Sequence, residues 1–188
     1  HGGELVRHAL ILQLLEYLET DQVWYVLLLP KISIANLIPH CSYRVEDEYD
    51  PLQQKQADVL DPLLKWFHSE FKVELIVNYG VMPCQQPEET LHRLRYFLHN
   101  CSNWELAGLD SLVTITKSLV LALAVMRRRC TLPEVLYATN LDELDQMSRW
   151  GEIKGHHDVS LAEIEKNLSA ACLYMLCCPL RPLQAKNE

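Results

Sequence analysis

The residues best suited to chemistry lie in one stretch, NLDELDQMSRWGEI, which runs from Asn140 to Ile153. If this stretch is helical, Asp142, Glu143 and Asp145 bring three carboxylates together within about one turn. An amide and a Trp-Gly pair follow at once. Such a set is compatible with acid–base catalysis, a metal cage or a face that docks on another protein.

Helical geometry separates this stretch into stripes. Glu143, Gln146 and Trp150 share one side at i, i+3 and i+7. A neighbouring stripe carries Asp142, Asp145 and Arg149, and the core side carries Leu141 and Leu144. Acid–base catalysis needs carboxylates in different environments, one of them desolvated, whereas this pattern predicts solvated carboxylates. The leading interpretation is therefore a solvent-exposed helix surface, ahead of a docking face and of catalysis. Gly151 is predicted to end the helix.

A second polar cluster, His156-His157-Asp158, is the only other candidate for a metal site in the sequence. Adjacent histidines project in different directions, whereas helical zinc ligands recur at i and i+4. We therefore predict a polar loop, with no metal, no cofactor and no catalytic residue. The short signatures of phosphate, dinucleotide, zinc-protease and acyl-transfer chemistry are also absent. An enzyme would need these three residues to converge with Glu152 on a metal.

Composition narrows the classes of partner that the protein could bind. The 188 residues carry a formal net charge of −8, which disfavours nucleic acid and anionic membranes. The apolar run 23–40 is broken by prolines and too short to cross a bilayer, so we expect no stable membrane insertion. Seven cysteines without a repeated CxxC spacing indicate a reduced compartment. The first residues resemble neither a signal nor a transit peptide, so we expect the chain to begin within a longer protein.

Apolar periodicity predicts a mainly α fold of five or six helices in a single domain, residues 1–188. Helices are expected at 4–20, 88–99 and 104–126, the last being apolar nearly all round and hence central. Another begins at Pro51 and should kink or restart at Pro62. Capping-box spacing predicts one helix from Thr131 through the carboxylate stretch, and a last one from Ser160. Residues 72–77 alternate enough to be extended, and 23–40 could form a buried hairpin.

Three segments in order resemble one family. The run LDELDQMSRWGEI (residues 141–153) is similar to the hallmark of the assembly factor 2 group, mitochondrial chaperones that assemble the catalytic head of F-type ATP synthase. Residues 43–75 add an acidic turn and the element DPLLKW. Residues 104–125 add WELAG and a Lys-Ser pair in the apolar helix. The resemblance covers about 43–178 and leaves 179–188 as a tail.

The resemblance implies a helical C-terminal domain that normally follows a β-rich domain, in a protein of the mitochondrial matrix. It implies a chaperone, not an enzyme, that binds the unassembled alpha subunit and shields it until the beta subunit joins. It also implies an important acidic residue near the hallmark, for which Glu143 is the first choice and Asp142 the alternative. Gln146, Trp150 and Gly151 complete the expected partner-binding set, and we expect a monomer.

Two departures from the family pattern leave alternatives open. The first is that we expect the β-rich domain to be missing from this chain. Residues 22–42 interrupt the match and read as an insertion, either a retained intron, a gene-prediction error or a genuine apolar lid. The alternatives are therefore a helical adaptor for another partner, or a truncated gene product without function.

Overall fold

The computed structural model describes residues 2–19, 43–44, 51–79 and 86–179. These ranges contain eight helices and one pair of two-residue strands, so the fold is mainly α, with more helices than the five or six predicted. The expected hairpin at 23–40 and the insertion at 22–42 lie outside the described residues. The helices are α1 (Gly2–Glu19), α2 (Pro51–Phe71), α3 (Glu88–Asn100), α4 (Asn103–Thr116), α5 (Leu119–Met126), α6 (Leu132–Thr139), α7 (Leu141–Trp150) and α8 (His157–Cys177).

The centre of the fold is α5, which packs against α1, α2, α4 and α8. Seven of its eight residues are buried, which explains why its sequence is apolar on every side. The predicted single helix 104–126 is wrong, because the chain breaks between α4 and α5. Lys117 takes a left-handed conformation with φ 54°, and the Ser118 hydroxyl accepts the Leu121 N–H at 3.2 Å to begin α5. Two helices therefore replace one.

The long helix α2 lies against the core through a stripe of buried apolar residues. It continues through Pro62 without the restart that the proline predicted. Leu60, Leu63 and Phe67 are buried at helical spacing on both sides of the proline, so core packing favours an unbroken helix. At its end, the Phe71 ring meets Phe97 of α3 edge-on, with ring centroids 5.1 Å apart.

The extended segment after α2 is held by one side chain, which hydrogen-bonds its backbone as a neighbouring strand would. Gln86 accepts the Ile76 N–H at 2.9 Å and donates to the Ile76 carbonyl at 3.1 Å. The segment 72–77 is neither helix nor strand. Immediately after it, β2 (Asn78–Tyr79) pairs in parallel with β1 (Tyr43–Arg44).

The last helix packs closely on α4 at a glycine. A β-carbon on Gly108 would overlap Met175 and come within 2.9 Å of a Tyr174 ring carbon, so only glycine allows this approach. The predicted start of this helix at Ser160 is wrong, because α8 begins at His157 and Ser160 lies inside it. The capping pattern read there is therefore part of the helix and not its boundary.

Candidate functional site

The carboxylate stretch forms its own helix, α7, rather than continuing α6. The predicted capping box of α6 is confirmed, since Thr131 and Glu134 bond each other reciprocally. The single helix predicted from Thr131 onward is wrong, however, because Asn140 interrupts it. The side-chain amide of Asn140 donates to the Leu136 carbonyl at 2.8 Å, at the end of α6. The backbone carbonyl of Asn140 accepts the Leu144 N–H at 2.8 Å, at the start of α7. One residue thus ends one helix and begins the next.

The inner face of α7 is acidic and buried, contrary to the prediction of solvated carboxylates. Asp142 and Asp145 are both buried. Asp142 accepts a hydrogen bond from Gln56 Nε2 of α2 at 3.2 Å, and Asp145 accepts one from Lys55 Nζ at 2.6 Å. Burial of a carboxylate is costly without such partners. These two acids therefore attach α7 to α2.

Asp145 is shared between two cations. Its Oδ1 meets Lys55 Nζ, and its Oδ2 meets Arg149 Nε at 2.6 Å. The Asp145 side chain is 4% exposed, whereas those of Lys55 and Arg149 are 43% and 36% exposed. The arginine lies one turn along the same helix, so it compensates the buried charge locally. Of these two cations, only Lys55 lies on a different helix from Asp145.

The outer face of α7 carries the predicted partner-binding stripe. Glu143 and Gln146 are partly exposed, and Trp150 is 77% exposed. Gly151 follows with φ 88° and ends the helix, as its position predicted. The structure thus places Glu143, Gln146 and Trp150 outward, and separates them from Asp142, which faces α2.

Two exposed apolar residues that follow Trp150 in the sequence were missed by sequence reasoning. Ile153 is 63% exposed and Val159 is 59% exposed. They lie in and just after the turn between α7 and α8. The available signal was the presence of isolated apolar residues in a polar turn, which periodicity does not detect.

The histidine-aspartate cluster holds this turn together. His157 Nδ1 accepts the Ile153 N–H at 3.2 Å, and the Asp158 carboxylate accepts the Gly155 N–H at 2.7 Å. The rings of His156 and His157 meet nearly at right angles, with centroids 5.3 Å apart. Across the described ranges no group of three or more His, Cys, Asp or Glu side chains is arranged to hold a metal ion. The geometry gives His157 and Asp158 a role in turn structure.

Ionisable groups just before and within α6 have displaced pKa values. Burial, together with the nearby Glu134 carboxylate, raises the pKa of the Cys130 thiol to about 11. Hydrogen bonds from the backbone and hydroxyl of Thr131 lower the pKa of the Glu134 carboxyl below its usual value. Cys130 is one of five free cysteines in the described ranges: Cys101, Cys130, Cys172, Cys177 and Cys178. A partly buried thiol with a raised pKa is a poor nucleophile.

Within the described residues, every helix is too short or too polar to pass through a bilayer.

Comparison with known proteins gives a consistent result. No protein-family model matches the chain. The chain is 24% identical over 175 residues to the mitochondrial protein atp12 of Schizosaccharomyces pombe, covering 91% of this chain and 54% of that protein. It is 21% identical over 176 residues to the mitochondrial protein ATP12 of Saccharomyces cerevisiae, covering 86% of this chain and 51% of that protein.

A solved structure agrees with these relatives. The crystal structure of Atp12 from Paracoccus denitrificans superposes with a TM-score of 0.74 and 27% identity, covering 89% of this chain and 64% of that one. The chain thus spans about half the length of the curated relatives it matches. Nearly all of the chain is similar to Atp12 proteins, in sequence and in fold, over the region that it shares with them.

Proposed function

We propose that the chain acts as an assembly chaperone for F-type ATP synthase, in the mitochondrial matrix. It binds the unassembled alpha subunit and shields the surface meant for the beta subunit until beta joins. It works as a monomer, by binding alone, without a cofactor or a catalytic step. The names of the mitochondrial relatives support the location, and the family hallmark at residues 141–153 supports the activity.

The observation that carries the proposal is the exposure of Trp150 on a helix whose opposite side is buried. An indole that is 77% exposed leaves a large apolar surface in water. Tryptophan is among the residues that contribute most to protein–protein binding once covered. Glu143 and Gln146 on the same stripe supply polar contacts around it. This is the arrangement of a docking face: an aromatic anchor with polar neighbours.

Reversible binding is what such a chaperone requires. A free subunit exposes an interface that, in obligate complexes, commonly buries about 2,000 Å² or more. A small docking face covers part of that area, so the final partner can displace it by making a larger contact. A partly exposed carboxylate such as Glu143 contributes mainly to orientation and association rate. The face is therefore suited to holding a subunit temporarily.

The test is capture of the alpha subunit from a matrix extract by the purified chain. We expect the wild-type chain to retain alpha but not the assembled enzyme. Glu143→Lys should keep the fold and lower capture, because it reverses a charge on the docking face. Trp150→Ala should lower the binding free energy by about 2 kcal/mol, the order found for central aromatic residues of interfaces.

A charge reversal elsewhere provides the matched control. Glu163→Lys makes the same change at an exposed position of α8, away from α7, and should leave capture unchanged. Full capture of alpha by folded Glu143→Lys and Trp150→Ala variants would show that α7 is not the docking face. Failure of the folded wild-type chain to capture alpha at all would refute the proposed partner.

A further inference from the structure

We propose that Lys55 is the positioning residue of the docking face, holding α7 against α2 so that Glu143 and Trp150 point outward. This inference rests on the proposed function. It assigns a binding role to a residue of another helix, 88 positions before Glu143 in the sequence (143 minus 55). The 2.6 Å contact between Lys55 Nζ and Asp145 Oδ1 is the observation that carries it.

The placement of α7 depends mainly on its contacts with α2. Among the other helices, α2 is its main packing partner. At one end α7 is joined to α6 through Asn140 alone, and at the other it ends at Gly151, whose surroundings are open. The first residue of α7, Leu141, is buried, whereas its last residue, Trp150, is 77% exposed. Burial of Leu141 fixes the start of the helix, so the direction of its exposed stripe depends on the side-chain bonds to α2.

Two hydrogen bonds from α2 to the acids of α7 differ in kind. Gln56 Nε2 donates to Asp142 at 3.2 Å, a bond from a neutral donor. Lys55 donates to the buried Asp145 at 2.6 Å, so that both partners of this bond are charged groups. Both acceptors are carboxylates, but only the Lys55 bond has a charged donor, and it is also the shorter of the two. The lysine bond is therefore the stronger of the two.

Because Arg149 also pairs with Asp145, loss of Lys55 would affect the orientation of α7 without leaving the buried Asp145 carboxylate unpaired. It meets the second oxygen of Asp145 from within α7 itself. When the lysine is removed, Asp145 keeps this cation, so no buried carboxylate is left without a counter-charge. What is lost is the stronger of the two links between α2 and α7, while the Gln56–Asp142 bond remains.

The link fixes which stripe of α7 faces solvent. Successive helical residues are about 100° apart, so Glu143 lies about 100° round the helix from Asp142. Turning α7 on its axis would move Trp150 and Glu143 together, away from the arrangement a partner recognises. A defined orientation is the usual requirement of a preorganised binding face.

The test compares Lys55→Met, Lys55→Arg and Lys65→Met with the wild-type full chain. Lys65 is an exposed lysine of the same helix, about 15 Å further along at 1.5 Å per residue, and serves as the control. Two quantities are measured: capture of the ATP synthase alpha subunit, and amide hydrogen exchange helix by helix. We expect Lys55→Met to bind alpha about tenfold more weakly and to exchange faster in α7 only. Lys55→Arg should restore both, and Lys65→Met should change neither.

Distinct outcomes overturn distinct claims. Faster exchange in all helices of Lys55→Met would show a general effect on stability and overturn the positioning role. Unchanged alpha capture by that variant, with wild-type capture intact, would overturn it as well. If the wild-type chain captures no alpha, the proposed function fails. In that case unchanged exchange in α7 would also refute the claim that Lys55 holds the helix.

Discussion

The close approach of α4 and α8 at Gly108 gives a prediction whose size follows from the structure. In Gly108→Ala the new methyl group would overlap Met175 Sδ and lie 2.9 Å from Tyr174 Cε1. Favourable contacts between carbon atoms begin at about 3.5 Å. Met175 is buried, so its thioether can move only by displacing other core atoms, or α8 must shift away from α4.

The net effect is the difference between two opposing contributions. Overpacking a core of this kind costs about 1–3 kcal/mol, and this overlap belongs at the upper end. Replacing glycine by alanine inside a helix contributes about 1 kcal/mol in the opposite direction. We therefore expect the free energy of unfolding to fall by about 2 kcal/mol. With a urea m-value of about 2 kcal/mol per molar, the unfolding midpoint should fall by about 1 M.

The assay is urea unfolding followed by circular dichroism, with Gly3→Ala as the control. A β-carbon on Gly3, an exposed residue of α1, meets nothing within 4 Å, so its unfolding free energy should change by less than about 0.5 kcal/mol. In a Met175→Ala background the cost of Gly108→Ala should shrink, because the main obstacle is gone. A Gly108→Ala midpoint equal to or above that of wild type would refute this account of the α4–α8 contact.

Two further predictions concern the start of α6. Because Thr131 lowers the folded-state pKa of Glu134, this carboxylate stabilises the fold above its unfolded pKa of about 4.5, and that contribution is lost as the pH falls through the folded value. The stability difference between wild type and Glu134→Gln, measured by urea midpoints, should therefore shrink from about pH 6 to about pH 3; a constant difference would contradict it. Cys130, with its pKa raised to about 11, should be alkylated by iodoacetamide at pH 8 more slowly than the exposed Cys177. Mass spectrometry of the two peptides measures this, and equal rates would show that Cys130 is not protected.

Helix positions could be predicted from the sequence wherever a periodic apolar stripe coincided with local end signals. The predicted helices at 4–20 and 88–99 match α1 and α3 to within a few residues. The Thr131 capping box was also found correctly, because both of its partners lie within four residues of each other. Such features depend on contacts between near neighbours, and the sequence records these directly.

Helix breaks were harder to predict, because they depend on backbone geometry that several residue types can adopt. Nothing in the type of Lys117 requires a positive φ, yet its left-handed conformation separates α4 from α5. At Pro62 the sequence predicted a kink or restart, but the helix is continuous there. Proline disfavours the interior of a helix, but the buried stripe on both sides of it keeps α2 continuous. At Pro62, tertiary packing outweighed the local preference.

The candidate site shows the same limit in a form that matters for function. Periodicity correctly placed Asp142 and Asp145 on one stripe and Glu143 on another, but it could not reveal what each stripe faces. Their partners Gln56 and Lys55 lie 86 and 90 positions away. An acidic run that looks uniform in sequence is therefore divided by the fold: two acids attach the helix, and one remains available to a partner. It follows that charge reversal at Asp145 would test the attachment of α7, whereas charge reversal at Glu143 tests recognition.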